Sequence, residues 1–228
     1  LKDLDQVIAV KPDTALAHFT RGLVYTKMRD FNKALLAFEK VLAIEPGNID
    51  AKVNHATIYV YKKQFEVAEA ELEGAMKLNP NEPNIYNTLA MIYTEQGKLT
   101  DAFKMVEKAL ALSPNQPYFI NNRGYVYLQL HEIEKAEADI NLSISLDPYN
   151  GWAYRNKAIL YLLKNDVASA ERLLLQAEKL DDFIDKLYFY LATARLKNGK
   201  KAEACLSFKK SEERGDNMTT AELISACR

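Results

Sequence analysis

Few residues in this chain have the types and spacing that catalysis or metal binding requires. The sequence contains no P-loop, no GxGxxG, no HExxH and no GxSxG motif. The segment SFKK at 207–210 fits the SxxK pattern of penicillin-binding enzymes, but the companion SDN and KTG motifs are absent. The three histidines, His18, His55 and His131, are spread along the chain without a metal-ligand spacing. We therefore expect no enzymatic activity, no metal and no cofactor.

The C-terminal part of the chain holds the two cysteines and a cluster of basic residues. Cys205 and Cys227 have no CxxC spacing, so we expect no disulfide framework. The basic cluster is diluted by Glu203, Glu212 and Glu213, which predicts a solvated face rather than a surface for an acidic partner or a membrane. Its members are Arg195, Lys197, Lys200, Lys201, Lys209, Lys210 and Arg214.

A more informative pattern lies in the segment PYFINNRGYVYLQL, residues 117–130. Ile120, Gly124 and Tyr127 recur at i, i+4 and i+7, which is the spacing of a buried helical stripe. A surface helix usually carries charges opposite such a stripe. Here the second stripe consists of amides and aromatic residues instead: Tyr118, Asn121, Asn122, Tyr125 and Gln129.

The composition excludes several classes of protein. The chain has 228 residues, of which 48% are hydrophobic and 27% charged, with a net charge of −1 and a pI near 6.4. Such a balance lacks the basic surface of a nucleic-acid binder, so we expect no nucleic-acid partner. Apolar runs such as AILYLL at 158–163 are shorter than the roughly 18 residues of a membrane span. No signal peptide is recognisable, but the sequence does not begin with Met, so the location stays open between cytoplasmic and periplasmic or peripheral.

The elements that must position these residues follow a repeat of 34 residues. Three series of residues keep this period: one of prolines, one of tyrosines and one of alanines. They are Pro12, Pro46, Pro80, Pro114 and Pro148; Tyr25, Tyr59, Tyr93, Tyr127 and Tyr161; and Ala34, Ala68, Ala102, Ala136, Ala170 and Ala204. A period of this length with these residue types predicts a helix–turn–helix repeat.

The repeat resembles the tetratricopeptide repeat family over essentially the whole chain. The family pattern has an aromatic residue, Leu, Gly/Ala, Tyr, Ala, Phe, Ala and Pro at repeat positions 4, 7, 8, 11, 20, 24, 27 and 32. The matching residues in 83–116 are Tyr86, Leu89, Ala90, Tyr93, Ala102, Val106, Ala109 and Pro114. The pattern weakens at the end, where Asp182 and Asp216 replace the proline and Arg195 replaces the tyrosine. The resemblance implies an all-α fold, a right-handed superhelical solenoid of antiparallel helix pairs, which we call helices A and B of each repeat.

We predict one solenoid over residues 1–228. Residues 1–14 form the second helix of a partial repeat, with Leu4 and Val7 in its core. Thr219 and Glu222 have capping-box spacing and predict a terminal capping helix over 219–228. The full repeats are 15–48, 49–82, 83–116, 117–150, 151–184 and 185–218.

The resemblance also implies that helix A of each repeat lines a concave groove. The residues that it places there are Asn84, Asn87, Tyr118, Asn121, Asn122, Tyr125, Trp152, Arg155 and Asn156. An amide side chain can donate and accept at once, which matches one peptide unit, and aromatic rings add apolar contact. The lysines and the arginine of the family's carboxylate clamp are missing from the matching positions. We therefore expect a non-catalytic scaffold or adaptor that binds an extended peptide segment of a protein partner.

Other interpretations of the same residues remain open. The amides can cap local backbone or solvate the surface, and Tyr118 and Trp152 can pack against a neighbouring loop. His18 and His55 occupy core-type positions and are expected to be packed histidines. The protein could also self-assemble into a homo-oligomer through its terminal helices, because an uncapped solenoid end is adhesive. Finally, it could be the recruitment domain of a larger enzyme or of a secretion or transport complex.

Overall fold

The computed structural model describes residues 1–216 and 218–227, and these residues form helices joined by short turns, without a strand. Asn217 and Arg228, which fall in the predicted repeat 185–218 and the predicted helix 219–228, lie outside the described residues. The chain divides into two compact units, Leu1–Pro114 and Asn115–Arg228. The fold is all-α, as the sequence predicts.

Unit 1, Leu1–Pro114, consists of a short first helix and three helix pairs. Within each pair the two helices pack closely, α2 on α3, α4 on α5 and α6 on α7. The bounds are α1 (Lys2–Val10), α2 (Ala15–Lys27), α3 (Phe31–Ile44), α4 (Ile49–Tyr61), α5 (Phe65–Leu78), α6 (Pro83–Glu95) and α7 (Leu99–Leu112).

Unit 2, Asn115–Arg228, contains three helix pairs followed by a short last helix. The pairs are α8 with α9, α10 with α11 and α12 with α13, and α14 packs on α13 and α12. The bounds are α8 (Pro117–Gln129), α9 (Ile133–Leu146), α10 (Gly151–Leu163), α11 (Val167–Leu180), α12 (Leu187–Lys197), α13 (Lys201–Glu213) and α14 (Ala221–Cys227).

The turn inside each pair requires one residue in the left-handed region. This residue stands at position 15 of every repeat, two residues after the last residue of helix A, and two of the six are Gly97 and Gly199. The other four are Arg29, Lys63, His131 and Asn165, with φ between 57° and 61°. The left-handed conformation costs a non-glycine residue about 1–2 kcal/mol. The structure therefore accounts for His131 as a turn residue.

Helices begin and end where local signals predict. The side chains of Asp30, Asn48 and Asp166 each accept a hydrogen bond from a backbone N–H three residues later. Pro83 and Pro117 begin their helices, where a missing N–H costs no hydrogen bond. The periodic prolines follow helix B, since proline cannot continue a helix.

The two helices of a pair approach closely at one small residue. A Cβ added to Gly22 would lie 2.6 Å from the Phe38 ring. A Cβ added to Gly124 would lie 3.0 Å from Ile140 and 3.3 Å from Asp139. The alanines at repeat position 20 have no solvent exposure at all: Ala34, Ala68, Ala102, Ala136, Ala170 and Ala204.

In two helix pairs, a polar residue stands at position 7 in place of the family's leucine. It contacts an acidic residue on helix B. Arg123 donates from Nε and Nη2 to the two carboxylate oxygens of Asp139, at 2.7 and 2.8 Å. His55 Nδ1 lies 2.9 Å from the Glu71 carboxylate. His55 and His18 are both buried, and His18 Nε2 lies 2.7 Å from the carbonyl oxygen of Pro12. The prediction of packed histidines is confirmed.

Three predictions about the ends of the chain are wrong. Val7, predicted in the core beside Leu4, is 45% exposed because α1 packs only on α2; Leu4 and Ile8 are half-buried. The cap of α14 is Thr220 and not Thr219, since Thr220 Oγ1 accepts from the N–H of Leu223. Cys205 and Cys227 form a disulfide, with Cα atoms 5.2 Å apart. The prediction of no disulfide fails because the packing of α14 on α13 brings together residues that are 22 apart in sequence.

Replacing Gly124 with leucine tests the close approach inside the pairs. We expect Gly124→Leu to lower the free energy of unfolding by about 1–3 kcal/mol, because its side chain must displace Ile140 and Asp139. The matched control is Gly74→Leu, where a Cβ meets nothing within 4 Å. Urea denaturation followed by circular dichroism measures both. Equal stability of the two variants would contradict the packing described here.

Candidate functional site

The predicted binding residues fall on the first helices of three repeats. Asn84 and Asn87 lie on α6 in unit 1, while the other seven lie on α8 and α10 in unit 2. In unit 2, α10 contacts both α8 and α12, so these three first helices lie side by side. The surface that they form together is called the α8–α10–α12 face below.

The structure joins three of the predicted residues in one buried network. The Arg155 guanidinium donates from Nε and Nη2 to Asn156 Oδ1, at 3.1 and 2.6 Å. Asn156 Nδ2 then donates to Asn121 Oδ1 at 2.9 Å, which links α10 to α8. All three side chains are shielded from water, with Asn156 at 0% exposure. The amides of Asn156 and Asn121 therefore bond mainly inside the protein.

Arg155 also connects α10 to the segment before α12. Its Nη1 donates to the backbone carbonyl of Asp185 at 3.0 Å. That segment is irregular, since Lys186 has a φ of +59° and α12 begins only at Leu187. A second anchor is Asp216, whose Oδ1 accepts from the Lys186 N–H at 3.1 Å. These bonds hold the entry to α12 in a conformation that an ordinary lysine avoids.

The charge of Arg155 is offset by aromatic rings and neutral oxygens. Its guanidinium carbon lies 5.0 Å from the centre of the Tyr125 ring and 5.1 Å from that of Trp152. Among the described residues, no carboxylate forms an ion pair with Arg155. Cation–π contact favours a guanidinium over these ring faces, more so when water is excluded. The arginine thus fixes the position of two rings on two different helices.

In unit 2, the accessible members of the set are its three aromatic residues and Asn122. Tyr118 is 47% exposed, and Asn122, Tyr125 and Trp152 are half-buried. Partial burial, followed by the nearby Asp147 carboxylate, raises the pKa of the Tyr118 hydroxyl above its usual value. Tyr118 is accordingly a neutral phenol at pH 7 and can donate a hydrogen bond.

The two predicted residues of unit 1 have different environments. Asn84 is exposed, and its side chain donates to Glu82 Oε1 at 2.8 Å at the start of α6. Asn87 is 9% exposed, so most of its amide is covered. The Asn84 amide therefore bonds to the side chain of the residue that caps α6.

Two contributors to the α8–α10–α12 face are absent from the predicted set. Tyr190 on α12 is half-buried and packs, like Tyr125, against the apolar cluster that contains Ile159, which adds a fourth aromatic ring to this face. The carbonyl of Asp185 completes the Arg155 network, and no side-chain pattern could have indicated it.

Other residues that the sequence singles out for catalysis make structural contacts instead. Ser207 of the SFKK segment is buried and accepts from Arg195 Nη1 at 2.7 Å, and Lys210 contacts Glu178 rather than the serine. Among the described residues, no group of three His, Cys, Asp or Glu is placed to hold a metal ion. In the same part of the chain, no helix has the length and apolar character that crossing a membrane requires.

The basic cluster is largely neutralised by ion pairs. Burial opposes the charge of Glu171, but hydrogen bonds from Lys200 and Asn198 outweigh it and lower the pKa of its carboxyl. Lys200 Nζ lies 2.9 Å from this carboxylate, and Arg195 Nε lies 3.5 Å from it. The remaining pairs are Lys209 with Glu213, Lys210 with Glu178 and Arg214 with Asp182. These pairs weaken the positive field that an acidic partner would need.

Comparison with known families assigns the repeat. Three segments match descriptions of the tetratricopeptide repeat, at residues 25–92, 84–113 and 118–150. The chain belongs to the tetratricopeptide repeat family. No curated protein matches the sequence.

Solved tetratricopeptide repeat structures share the fold at low sequence identity. A chain of the APC/C hetero-tetramer Cut9–Hcn1 matches with a TM-score of 0.75 and 17% identity over 99% of this chain, which spans 45% of that chain. A thermophilic repeat protein of Thermus thermophilus matches with a TM-score of 0.69 and 22% identity, covering 80% of this chain and 100% of the other. PilF of Pseudomonas aeruginosa matches with a TM-score of 0.59 and 16% identity, covering 92% and 95%.

The family assignment supports a protein-interaction scaffold in general terms. Tetratricopeptide repeats are generally non-catalytic. Identity and fold do not name a partner, because function depends on the surface that each member presents.

The buried network makes a prediction about stability. We expect Asn156→Ala to lower the free energy of unfolding by about 1–3 kcal/mol, because it leaves two buried Arg155 N–H groups without an acceptor. The matched control is Asn84→Ala, which removes an exposed amide and should change stability by less than about 0.5 kcal/mol. Urea unfolding measures both, and an Asn156→Ala variant as stable as the wild type would show that the network contributes little.

Proposed function

We propose that unit 2 binds an extended segment of a partner protein on the α8–α10–α12 face. The observation that carries this proposal is a set of partly exposed aromatic rings, two of which contact the arginine of a buried polar network. Tyr118 and Tyr125 come from α8, Trp152 from α10 and Tyr190 from α12. The protein would then be a non-catalytic scaffold or adaptor.

The residue types of the face suit protein recognition. Tyrosine and tryptophan are enriched among the residues that contribute most to binding at interfaces. They offer a large apolar area and a polar group while losing little conformational entropy. An extended peptide can place alternate side chains between such rings and its backbone beside the half-buried amide of Asn122. In this proposal the aromatic rings make the binding contacts, and the buried amides help to hold the rings in position.

The buried network supports binding by fixing the rings before a partner arrives. Arg155 contacts both Tyr125 and Trp152, and its own position is set by Asn156 and by the Asp185 carbonyl. A surface that is already ordered loses less entropy on binding. The network thus explains why buried asparagines occur on a face that is proposed to bind.

The similar structures agree with this class of function without defining it. The Cut9–Hcn1 chain belongs to a hetero-tetramer, and this chain spans 45% of its length. We infer from it only that the fold occurs inside a protein assembly. Recruitment of a substrate or subunit to a larger complex is the wider form of the same proposal.

A selected peptide tests the proposal directly. The full chain would be used to select binders from a random peptide library, and a labelled binder would be titrated by fluorescence anisotropy. We expect Tyr118→Ala/Tyr125→Ala to weaken the affinity at least tenfold, since aromatic contacts at the centre of an interface contribute about 2 kcal/mol or more.

The matched control for this experiment is Tyr149→Ala. Tyr149 is 80% exposed and belongs to the same unit, but it lies in the turn before α10 and outside the face. Its loss should leave the affinity unchanged. Equal binding by the wild type and both variants, or a library that yields no binder, would refute the proposal.

A second candidate function is self-association through α1. This helix has no buried residue and exposes Val7 at 45% and Val10 at 80%. Exposed apolar side chains on a solenoid helix favour pairing with another copy.

Sedimentation velocity over a hundredfold range of concentration separates the two functions. If α1 mediates pairing, the mass of the wild type rises toward a dimer, and Val7→Glu/Val10→Glu stays monomeric. A wild type that remains monomeric throughout removes this candidate and leaves peptide binding untouched.

A further inference from the structure

We propose that the Cys205–Cys227 pair is a reversible thiol–disulfide site that holds α14 on the terminal helix pair, and that a dithiol reductant releases this helix. This proposal does not rest on the peptide-binding proposal, because the disulfide joins α13 and α14, and neither helix supplies a residue of the proposed binding set.

The first observation is the tether itself. Cys205 lies on α13, Cys227 is the last residue of α14, and their disulfide closes a loop over a sequence separation of 22 residues. Both residues are half-buried rather than enclosed. A small thiol can therefore reach the bond, which a fully enclosed disulfide would not allow.

The second observation is that α14 has few other attachments. It contains seven residues, far below the roughly 12–15 that an isolated helix needs for stability in water. Leu223 is its one buried side chain, and Thr220 caps its start. Without the disulfide, α14 would be held by the packing of Leu223 and of a few half-buried side chains around it.

The third observation is the apolar surface that α14 covers. Leu223 and Cys227 pack in one cluster with Phe189 and Ala192 of α12 and Phe208 of α13. Phe208 is 2% exposed and Phe189 is 7% exposed in this arrangement. Release of α14 would expose part of these rings to solvent.

Basic residues near Cys205 favour thiol–disulfide exchange at this site. Lys201 and Lys209 stand four residues before and after it, so they lie on the same side of α13. The positive charge of these lysines stabilises the thiolate, which is the species that attacks a disulfide.

The reaction is a two-electron exchange with a dithiol. A thiolate of the reductant attacks one sulfur of the pair and forms a mixed disulfide, and the other cysteine leaves as a thiolate. The second thiol of the reductant then resolves the mixed disulfide. Cys205 and Cys227 gain two electrons and two protons, and the reductant becomes its own disulfide.

The test begins with the full chain purified in air without reductant. Maleimide labelling of the denatured protein should find no free thiol before treatment with the dithiol dithiothreitol, and two after treatment and removal of the reductant. Hydrogen exchange of the folded protein, read by mass spectrometry, then compares the oxidised and reduced forms. We expect the amides of α14 to exchange at least about 30-fold faster after reduction, while those of α8 and α9 keep their rates.

Two variants make the outcome specific. Cys205→Ser/Cys227→Ser should show fast exchange of α14 with and without reductant and retain the helical circular dichroism of the wild type. Leu206→Ala, beside Cys205 but 70% exposed, should behave as the wild type. The proposal is overturned if the air-purified protein has two free thiols, or if α14 exchanges at the same rate in both redox states.

Discussion

The close approach of two helices within each repeat is the constraint on which the rest of the structure depends. Gly22 faces the Phe38 ring and Gly124 faces Ile140, at distances that leave no room for a larger side chain. On helix B the alanines of position 20 are fully buried at the same level. The short distance between the helices determines where the longer side chains reach, and so permits the bidentate pairing of Arg123 with Asp139.

This packing also accounts for the strained turns. Four non-glycine residues accept a left-handed backbone at the same repeat position, although each costs about 1–2 kcal/mol. Such a conformation persists where the surrounding structure determines it, and here both flanking helices are held by their mutual contact. The same position accepts glycine in two repeats, which shows that the constraint acts on the backbone and not on the side chain.

In unit 2, buried polar groups hold aromatic side chains in place on the α8–α10–α12 face. The chain of hydrogen bonds from the Asp185 carbonyl through Arg155 and Asn156 to Asn121 connects α8, α10 and the entry to α12. A buried charge without a carboxylate partner is costly unless other groups compensate it. The rings of Tyr125 and Trp152 provide part of that compensation, so their orientation is coupled to the stability of the unit. Buried contacts thus determine how these two partly exposed rings are oriented.

The sequence by itself determined the helix pairs, because a 34-residue period of small, aromatic and proline residues reports local packing and turn chemistry. It also indicated the amide and aromatic stripe on α8 and α10, since helical spacing places those residues on one face. It did not reveal that Asn121 and Asn156 are buried against each other, because their 35-residue separation is closed only when α8 packs on α10. The Cys205–Cys227 bond and the burial of Leu223 likewise depend on where α14 docks. Local periodicity specifies each element, whereas contacts between elements decide which polar groups face water and which face each other.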